Sequence, residues 1–538
     1  MTKPRPIANT ALWWPLRHPI FRKIWIASLF SNVGTWMHEV GAGWLMTSLA
    51  PDPLMVALVQ AATTFPVFLL ALPAGALADI LDRRTYLIAT QIWMGLAAGF
   101  LGLFTLTGAA NATILLVFTF ALGIGSGMMM PAWGAIIPEL VPREEIQGAV
   151  SLNSVGVNVS RAVGPALAGL IIAATGPGVV FVLNAISFGA VIVALYGWHR
   201  KTTDGELPAE RLVGALRAGM RYARNAPELR TILVRVGAFV IFASASWALI
   251  PLLVRHGLGG GADTYGLFLA ALGTGAIAGA FVLPHLRLRI SRDKLLRGST
   301  ALFAGAMLVL AHSGSIAAGI AAMFFSGMAW ISVISSSMAA AQVALPAWVR
   351  ARGLAFFWVV FMGGMAVGSA IWGQVASWIG IPMSLTLAAI GAMVGMAATW
   401  EFRIGQLEVL DLTPTVHWTT PHFRDESEMD RGPVMVMIEY IIEPDKLKEF
   451  THALHQVRRL RRRDGAFMWE MFTDSEEPGK VVECFMIESW LEHLRQHERE
   501  IASDKHIYKK ARAFHIGERP PKVTHYIGGH LREQPLFW

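Results

Sequence analysis

Residues 53–84 read PLMVALVQAATTFPVFLLALPAGALADILDRR. An uncharged apolar run comes first, and Asp79, Asp82, Arg83 and Arg84 then fall together at its end. A helix needs about 20 apolar residues to cross the hydrocarbon core of a bilayer. Residues 54–78 are therefore predicted to span it, with the charged turn at its surface.

The same alternation runs through most of the chain. Further spans are predicted at 21–47, 85–107, 111–138, 148–174 and 178–198, and, after a polar gap, at 231–255, 264–285, 295–312, 315–341, 353–378 and 382–402. Composition agrees, with 54% hydrophobic and 15% charged residues and a mean hydropathy of +0.49, where soluble domains carry about 25% charged residues. The opening MTKPRPIANT lacks a short apolar core followed by a small-residue cleavage site, so the first apolar segment is expected to stay as an anchor. The lone cysteine, Cys484, excludes an intrachain disulfide and a zinc cluster of several thiolates.

The net charge of +8 sits in alternate loops, as membrane insertion requires, and calls for no nucleic acid. Lys3, Arg5, Arg17, Arg22 and Lys23, then Arg83, Arg84 and Arg143, the 200–230 segment, the Arg287–Arg297 cluster, Arg350 and Arg352 lie on one side, whereas the opposite loops offer Arg255 alone. Cytoplasmic loops carry the Lys/Arg excess. The N-terminus is expected inside, and an even span count returns the C-terminus there too, in a multi-pass protein of the plasma (inner) membrane.

The two halves echo each other at an offset of 204 residues: Gly75 with Gly279, Arg83 with Arg287, Pro142 with Pro346, Gly164 with Gly368, and Gly169 with Gly373. The predicted organisation is a six-helix half over 1–199, a cytoplasmic linker over 200–230 with an amphipathic basic helix (Leu212, Leu216, Met220 and Ala223 beside Arg217, Arg221 and Arg224), and a second half over 231–403. A connector over 404–432 and a soluble domain over 433–538 follow. Parallel repeats imply a central cavity and alternating access.

Gly75, Asp79, Arg83 and Arg84 resemble the loop signature of the major facilitator superfamily, although Ile80 stands where a base is usual and Asp82 where a glycine is usual. The resemblance implies that this acid and these bases latch the two halves on the cytoplasmic side. Pro138-Glu139-Leu140-Val141-Pro142-Arg143-Glu144, then Asn153, Asn158, Arg161, Gly164, Pro165 and Gly169, together with WMHEVGAGWLMTSL (36–49) and LPAWVRARG (345–353), resemble the branch containing the enterobactin exporter and the transmembrane secretion effectors. The implied fold is an all-α membrane protein of 12 transmembrane helices in two six-helix halves, plus a C-terminal α+β domain.

Charges inside a span are costly and functional by default. Glu39 lies mid-span beside His38, and Trp36 shares its face at i, i+3. A carboxyl in an apolar cavity disfavours its charged form, so Glu39 is a candidate for proton binding and release; the alternative is a solvated or helix-paired carboxylate. Arg161 shares a side of its helix with Asn158, and Asn153 lies eight residues earlier. It never loses its charge, so it faces water, an acid or a bound anion. Gln60, Gln91, Trp44, Trp247 and Gln374 are further cavity candidates, with interfacial belts as the plainer reading of the tryptophans. Arg235 reads as a snorkelling anchor at the start of its span.

In the tail, VMVMIEYII alternates as a strand, and Leu447, Phe450, Leu454, Val457 and Leu460 recur at helical spacing. AFMWEMFTD and VVECFMIES read as strands, followed by a helix from Trp490 and the strand KVTHYIG. This β-α-β-β-α-β order is ferredoxin-like. It resembles the dimeric α/β-barrel domains of the antibiotic-biosynthesis monooxygenase group, which implies a homodimer through the tail. His493 and His497 have i, i+4 metal spacing but no third ligand fixed by spacing, so a solvated helix face or a subunit contact is the default and no metal or cofactor is expected. Arg458–Arg463 is read as a solvated face or a lipid-attracted one.

The leading expectation is a secondary exporter, not an enzyme, that moves a small amphipathic molecule (a siderophore-like metabolite or drug) by proton antiport. The alternatives are a cofactor-free monooxygenase tail using Trp469, Trp490 and His493, or an importer whose tail is a regulatory dimerising module. No Gly-x-x-x-x-Gly-Lys loop occurs in the polar segments, which argues against ATP-driven pumping.

Overall fold

The computed structural model describes residues 13–198, 220–222, 224–346, 349–404, 432–499 and 504–528. Contacts divide the chain into two compact units: Met1–Leu207 with Leu233–Met338 and Phe357–Gly405, and Pro208–Ile232 with Ala339–Phe356 and Gln406–Trp538.

The membrane region consists of α1 (Pro19–Leu49), α2 (Pro53–Ile80), α3 (Arg83–Leu106), α4 (Ala112–Leu140), α5 (Ile146–Thr175) and α6 (Pro177–Tyr196), then α7 (Pro227–Leu252), α8 (Ala262–Arg289), α9 (Arg292–His312), α10 (Ile316–Ala344), α11 (Arg350–Ile379) and α12 (Ile381–Ala398). Among the described residues, eleven helices are long and apolar enough to cross a membrane. The sequence predicts twelve, and α1 is the one that falls outside. At 31 residues it is long enough, but Arg22, Lys23, Ser28, Ser31, Asn32, His38 and Glu39 dilute its apolar run.

Local chemistry sets the helix ends. The side chains of Asp52, Asp82, Asn111 and Ser291 accept from Met55, Thr85, Ile114 and Lys294 N–H groups, capping α2, α3, α4 and α9. Gly176 and Gly380, 204 residues apart, take φ of +84° and +83°, a region nearly free of cost only for glycine. There they turn α5 into α6 and α11 into α12.

The internal repeat shows in the packing. A Cβ on Gly164 would meet Trp36 and Val33 of α1, and one on Gly368 would meet Ser244 and Ile241 of α7. Gly169 lies against Ala262 and Gly266 of α8, and Gly373 against Pro53 and Ala57 of α2, so one pair of glycines makes the two seams between halves. Arg83 and Arg287 are not equivalent in this sense. Arg83 opens α3, while Arg287 lies in the last turn of α8, because α9 starts only at Arg292.

Arg235 is not a snorkelling anchor. It is 9% exposed and donates to Asp293 Oδ1 at 2.6 Å and to the Phe402 carbonyl at 3.0 Å. The backbone N–H of Ile404 donates to the same carboxylate oxygen at 3.0 Å, so one ion pair ties α7 and α9 to the segment leaving α12.

In the second unit, β1 (Val434–Ile441), α13 (Leu447–Asp464), β2 (Met468–Thr473), β3 (Lys480–Ile487), α14 (Trp490–Arg499), α15 (Lys505–Arg512) and β4 (Lys522–Ile527) follow in order. The strands form an antiparallel sheet in the order β2-β3-β1-β4. Alternation along β1 puts Val434, Val436, Ile438 and Tyr440 into a core with Phe450, Leu454, Val457, Trp469, Phe485 and Trp490. The second helical segment is two helices, α14 and α15, rather than one.

Two arginines expected on a solvated face are buried instead. Arg461 reaches Glu483 at 3.3 Å, and Arg463 pairs with Asp464 at 2.7 Å and Asp504 at 2.5 Å. The linker helix predicted around Leu212, Leu216 and Ala223 lies outside the described residues except for its end. There Arg221 donates to Glu488 at 2.9 Å and the Tyr222 ring lies 6.0 Å from the Arg463 guanidinium.

Candidate substrate cavity

The approach of α5 to α1 builds the centre of the first unit. Gly164 leaves no side chain between the helices, and one turn earlier the Arg161 guanidinium lies over the Trp36 ring at 5.3 Å, a cation–π arrangement. Glu39, one turn beyond Trp36, is half-buried and interacts electrostatically with both Arg161 and Tyr265. No hydrogen bond joins Glu39 to Arg161.

From the other half, Trp247 of α7 brings its ring to 6.4 Å from Trp36, and Trp330 of α10 lies 5.4 Å behind it. Phe239, Phe303 and Phe361 back Trp330. The Arg161 Nε and the Trp247 indole nitrogen are buried and have no hydrogen-bond partner among the described residues. The site is therefore an aromatic wall carrying one fixed cation, one carboxylate and two unused donors.

The other expected residues do not all join this centre. His38 is 4% exposed and packs, tilted by 50°, against Phe181 of α6 at 4.6 Å, so it faces away from Trp36. Gln91 is buried and donates to Met129 Sδ inside the first half. Asn158 donates to the Ser154 carbonyl of its own helix at 2.9 Å. Asn153 lines a small void with Phe21, Trp25 and Trp133. Gln60 and Gln374 are half-buried on α2 and α11.

The end of the bundle carrying the α1–α2 loop is sealed across the halves. Arg255 donates to Thr47 at 2.8 Å and to Ser48, and lies over Trp44 at 5.2 Å; Trp44 stacks on Tyr265 at 6.1 Å. Ser377 donates to Asp52 at 2.8 Å and accepts from the Leu54 backbone at 3.3 Å. Sequence reasoning missed Tyr265 and Trp330, and for Arg255 the one available signal was its isolation on the base-poor side.

In the signature loop, Arg83 donates to Glu139 at 2.7 Å and to the Ala135 carbonyl at 3.2 Å, while Arg84 donates to the Leu195 and Tyr196 carbonyls. Both bases thus bind α4 and α6 of their own half. A Cβ on Gly75 would meet nothing within 4 Å; the Asp79 side chain lies outside the description. An apolar cavity of about 540 Å³ opens between α2, α4 and α11, lined by Leu58, Phe65, Val117, Phe120 and Val367, and contains no ionisable group.

Residues 10–534 match the transmembrane secretion effector family. The chain belongs to that family of major facilitator transporters. It is 25% identical over 283 residues to the staphyloferrin A transporter of Staphylococcus aureus, covering 52% of this chain and 71% of that one. It is 26% identical over 227 residues to the multidrug efflux pump Tap of Mycobacterium tuberculosis, covering 40% and 53%. Among solved structures, a bacterial homologue of the human lysosomal transporter Spinster, inward-facing and occupied, superposes with a TM-score of 0.58 at 14% identity over 72% of this chain and 97% of that one. The protein is a multi-pass membrane transporter of a small molecule.

Proposed function

We propose that this transporter exports a small amphipathic molecule by proton antiport, with alternating access across the inner membrane and both termini in the cytoplasm. One observation carries the reading: Trp36, Glu39 and Arg161 from one half face Trp247 from the other, beneath an end sealed by Arg255 and Ser377. In this reading α1 is the twelfth span, with Ser28, Ser31 and His38 buried against protein rather than facing lipid, and the base-poor sealed end is the outer side. Glu39 carries the proton, and Gly75, Asp79, Arg83 and Arg84 gate the inner side. The name of the efflux pump relative supports export, and that of the staphyloferrin A transporter supports a siderophore-like cargo.

The test is substrate uptake into inverted vesicles with a panel of siderophore-like compounds and drugs, with and without a proton ionophore. Accumulation that the ionophore abolishes and that Glu39→Gln no longer couples to pH is expected. Flux indifferent to the ionophore rejects proton antiport.

The tail's strand order supports a ferredoxin-like domain that dimerises as an α/β barrel and regulates transport. The specific support for regulation is the Arg221–Glu488 pair with the Tyr222–Arg463 contact, which attaches the tail to the segment leading into α7. A monooxygenase reading has less support, because Trp469, Trp490 and His493 are 2%, 4% and 1% exposed core residues.

A further inference from the structure

We infer that the site formed by Trp36, Arg161 and Trp247 selects planar, conjugated substrates bearing a carboxylate, which lie against the aromatic wall of Trp36, Trp247 and Trp330 and place their oxygens on Arg161 and the Trp247 indole N–H. The inference rests on the reading of this site as the transport site.

Arg161 keeps its charge at every accessible pH, and a guanidinium inside a span demands a counter-charge. Arg161 makes no hydrogen bond with Glu39 or any other described acid, and its Nε is buried without a partner. One carboxylate oxygen would satisfy it, and a second oxygen fits the fork geometry of guanidinium recognition.

The Trp247 indole is the other unused donor, and it belongs to the opposite half. A ligand that supplies acceptors to both donors bridges the halves at the midline, as occlusion requires. The two rings lie 6.4 Å apart at 35°, and Trp330 extends the aromatic wall. A flat ring gains most from such a wall, because its face matches theirs.

The same geometry disfavours cations. On Trp36 the ring face that would attract an ammonium group is already covered by Arg161, and the two like charges would repel. Glu39 interacts with Arg161 electrostatically but leaves its Nε unbonded, and a substrate carboxylate pairs with that free donor.

The experiment compares three probes with one ring system: naphthalene-2-carboxylate, 2-naphthamide and 2-naphthylmethylammonium. Binding of each radiolabelled probe to the full chain in nanodiscs is measured by equilibrium dialysis. The carboxylate is expected to bind at least tenfold more tightly than the other two. Arg161→Gln is expected to reduce it to the level of the amide, and Trp247→Phe to weaken it severalfold while retaining the charge preference; gel filtration and circular dichroism confirm that both variants are folded.

Equal binding of the three probes, tighter binding of the cation, or no binding overturns the inference, as does an unchanged preference in folded Arg161→Gln. Uptake assays in inverted vesicles separate the two readings. Carboxylate binding with the expected preference but no uptake upholds the anion site and rejects its role in transport, whereas Arg161-independent uptake of the cation or amide upholds transport and rejects the inference.

Discussion

Glu483 is fully enclosed in the tail core, yet three donors hold it: Trp469 Nε1 at 3.0 Å, Arg461 Nε at 3.3 Å and the Tyr440 hydroxyl at 3.3 Å. Removing one member of a buried charged pair strands the other, at a cost of about 3–5 kcal/mol. Glu483→Ala is therefore expected to unfold the tail selectively, read as rapid proteolysis of the C-terminal segment of the full chain while the membrane region stays intact. A tail as resistant as wild type would show that the network contributes little. Next to it, burial and the Glu483 charge push the Cys484 thiol above its usual range, so less thiolate is present at pH 8 than for a free cysteine, and the thiolate is the reactive form. Alkylation by iodoacetamide is expected to be at least tenfold slower in folded than in denatured protein, by mass spectrometry; equal rates would refute this. The sequence could not show why Arg461 is buried, because its acid partner comes from another element 22 positions away, and a run of arginines reads as solvated until that partner is known. Glu39 and Arg161 stand out in the sequence as charges inside apolar runs, and the structure brings both near Trp36, whereas His38, in the same run as Glu39, turns to the opposite face and packs on Phe181.

Helices carry the same lesson through their glycines. Gly275 and Gly327 face the backbone of Phe324 and Leu272, so they pack α8 on α10 inside one half, whereas Gly169 meets Ala262 and Gly266 across the halves. An alanine at Gly327 would bring its Cβ to 1.9 Å from the Leu272 carbonyl oxygen, so Gly327→Ala is expected to lower the thermal midpoint of the purified protein; an unchanged midpoint would mean that the seam relaxes freely. In the proposed alternating-access cycle, Gly169→Ala acts on a seam that parts. It is expected to favour the state with the α1–α2 end open, lengthening the pulsed-EPR distance between spin labels at Ala109 and Ser313. A distance distribution matching the unsubstituted protein would remove Gly169 from the gate. The repeat was readable because glycines that permit helix contact recur at equal spacing. The pairing of Arg83 with Arg287 failed because the turn before α9 lies farther along the chain than the turn before α3, which numbering alone conceals. Helix α1 has no stretch as apolar as those of the eleven other helices, because its polar residues include Glu39, a member of the proposed site.

For the whole molecule, the proposed connection between tail and transport runs through covalent order. Arg221 sits against the tail through Glu488 and Tyr222 through Arg463, with the Tyr222 hydroxyl pKa pushed up by burial, and α7 begins at Pro227 and leads to Trp247. A tail that shifts on ligand binding or dimerisation would pull on the start of α7, and thereby bias the half that carries one wall of the cavity. The Arg221–Glu488 pair is partly exposed, with side-chain exposures of 18% and 21%, so deleting one charge would change little, since such pairs contribute about 1 kcal/mol or less. Reversal is the stronger perturbation. Arg221→Glu places two carboxylates where an ion pair stood, and is expected to change initial uptake into inverted vesicles at least threefold while leaving the protease resistance of the tail intact. Adding Glu488→Arg restores opposite charges and is expected to return uptake toward wild type. Rescue would identify the contact itself as the coupling element, because a merely destabilised linker would not recover on exchange of the two charges; uptake unchanged in all three proteins would leave the tail mechanically independent of the pore.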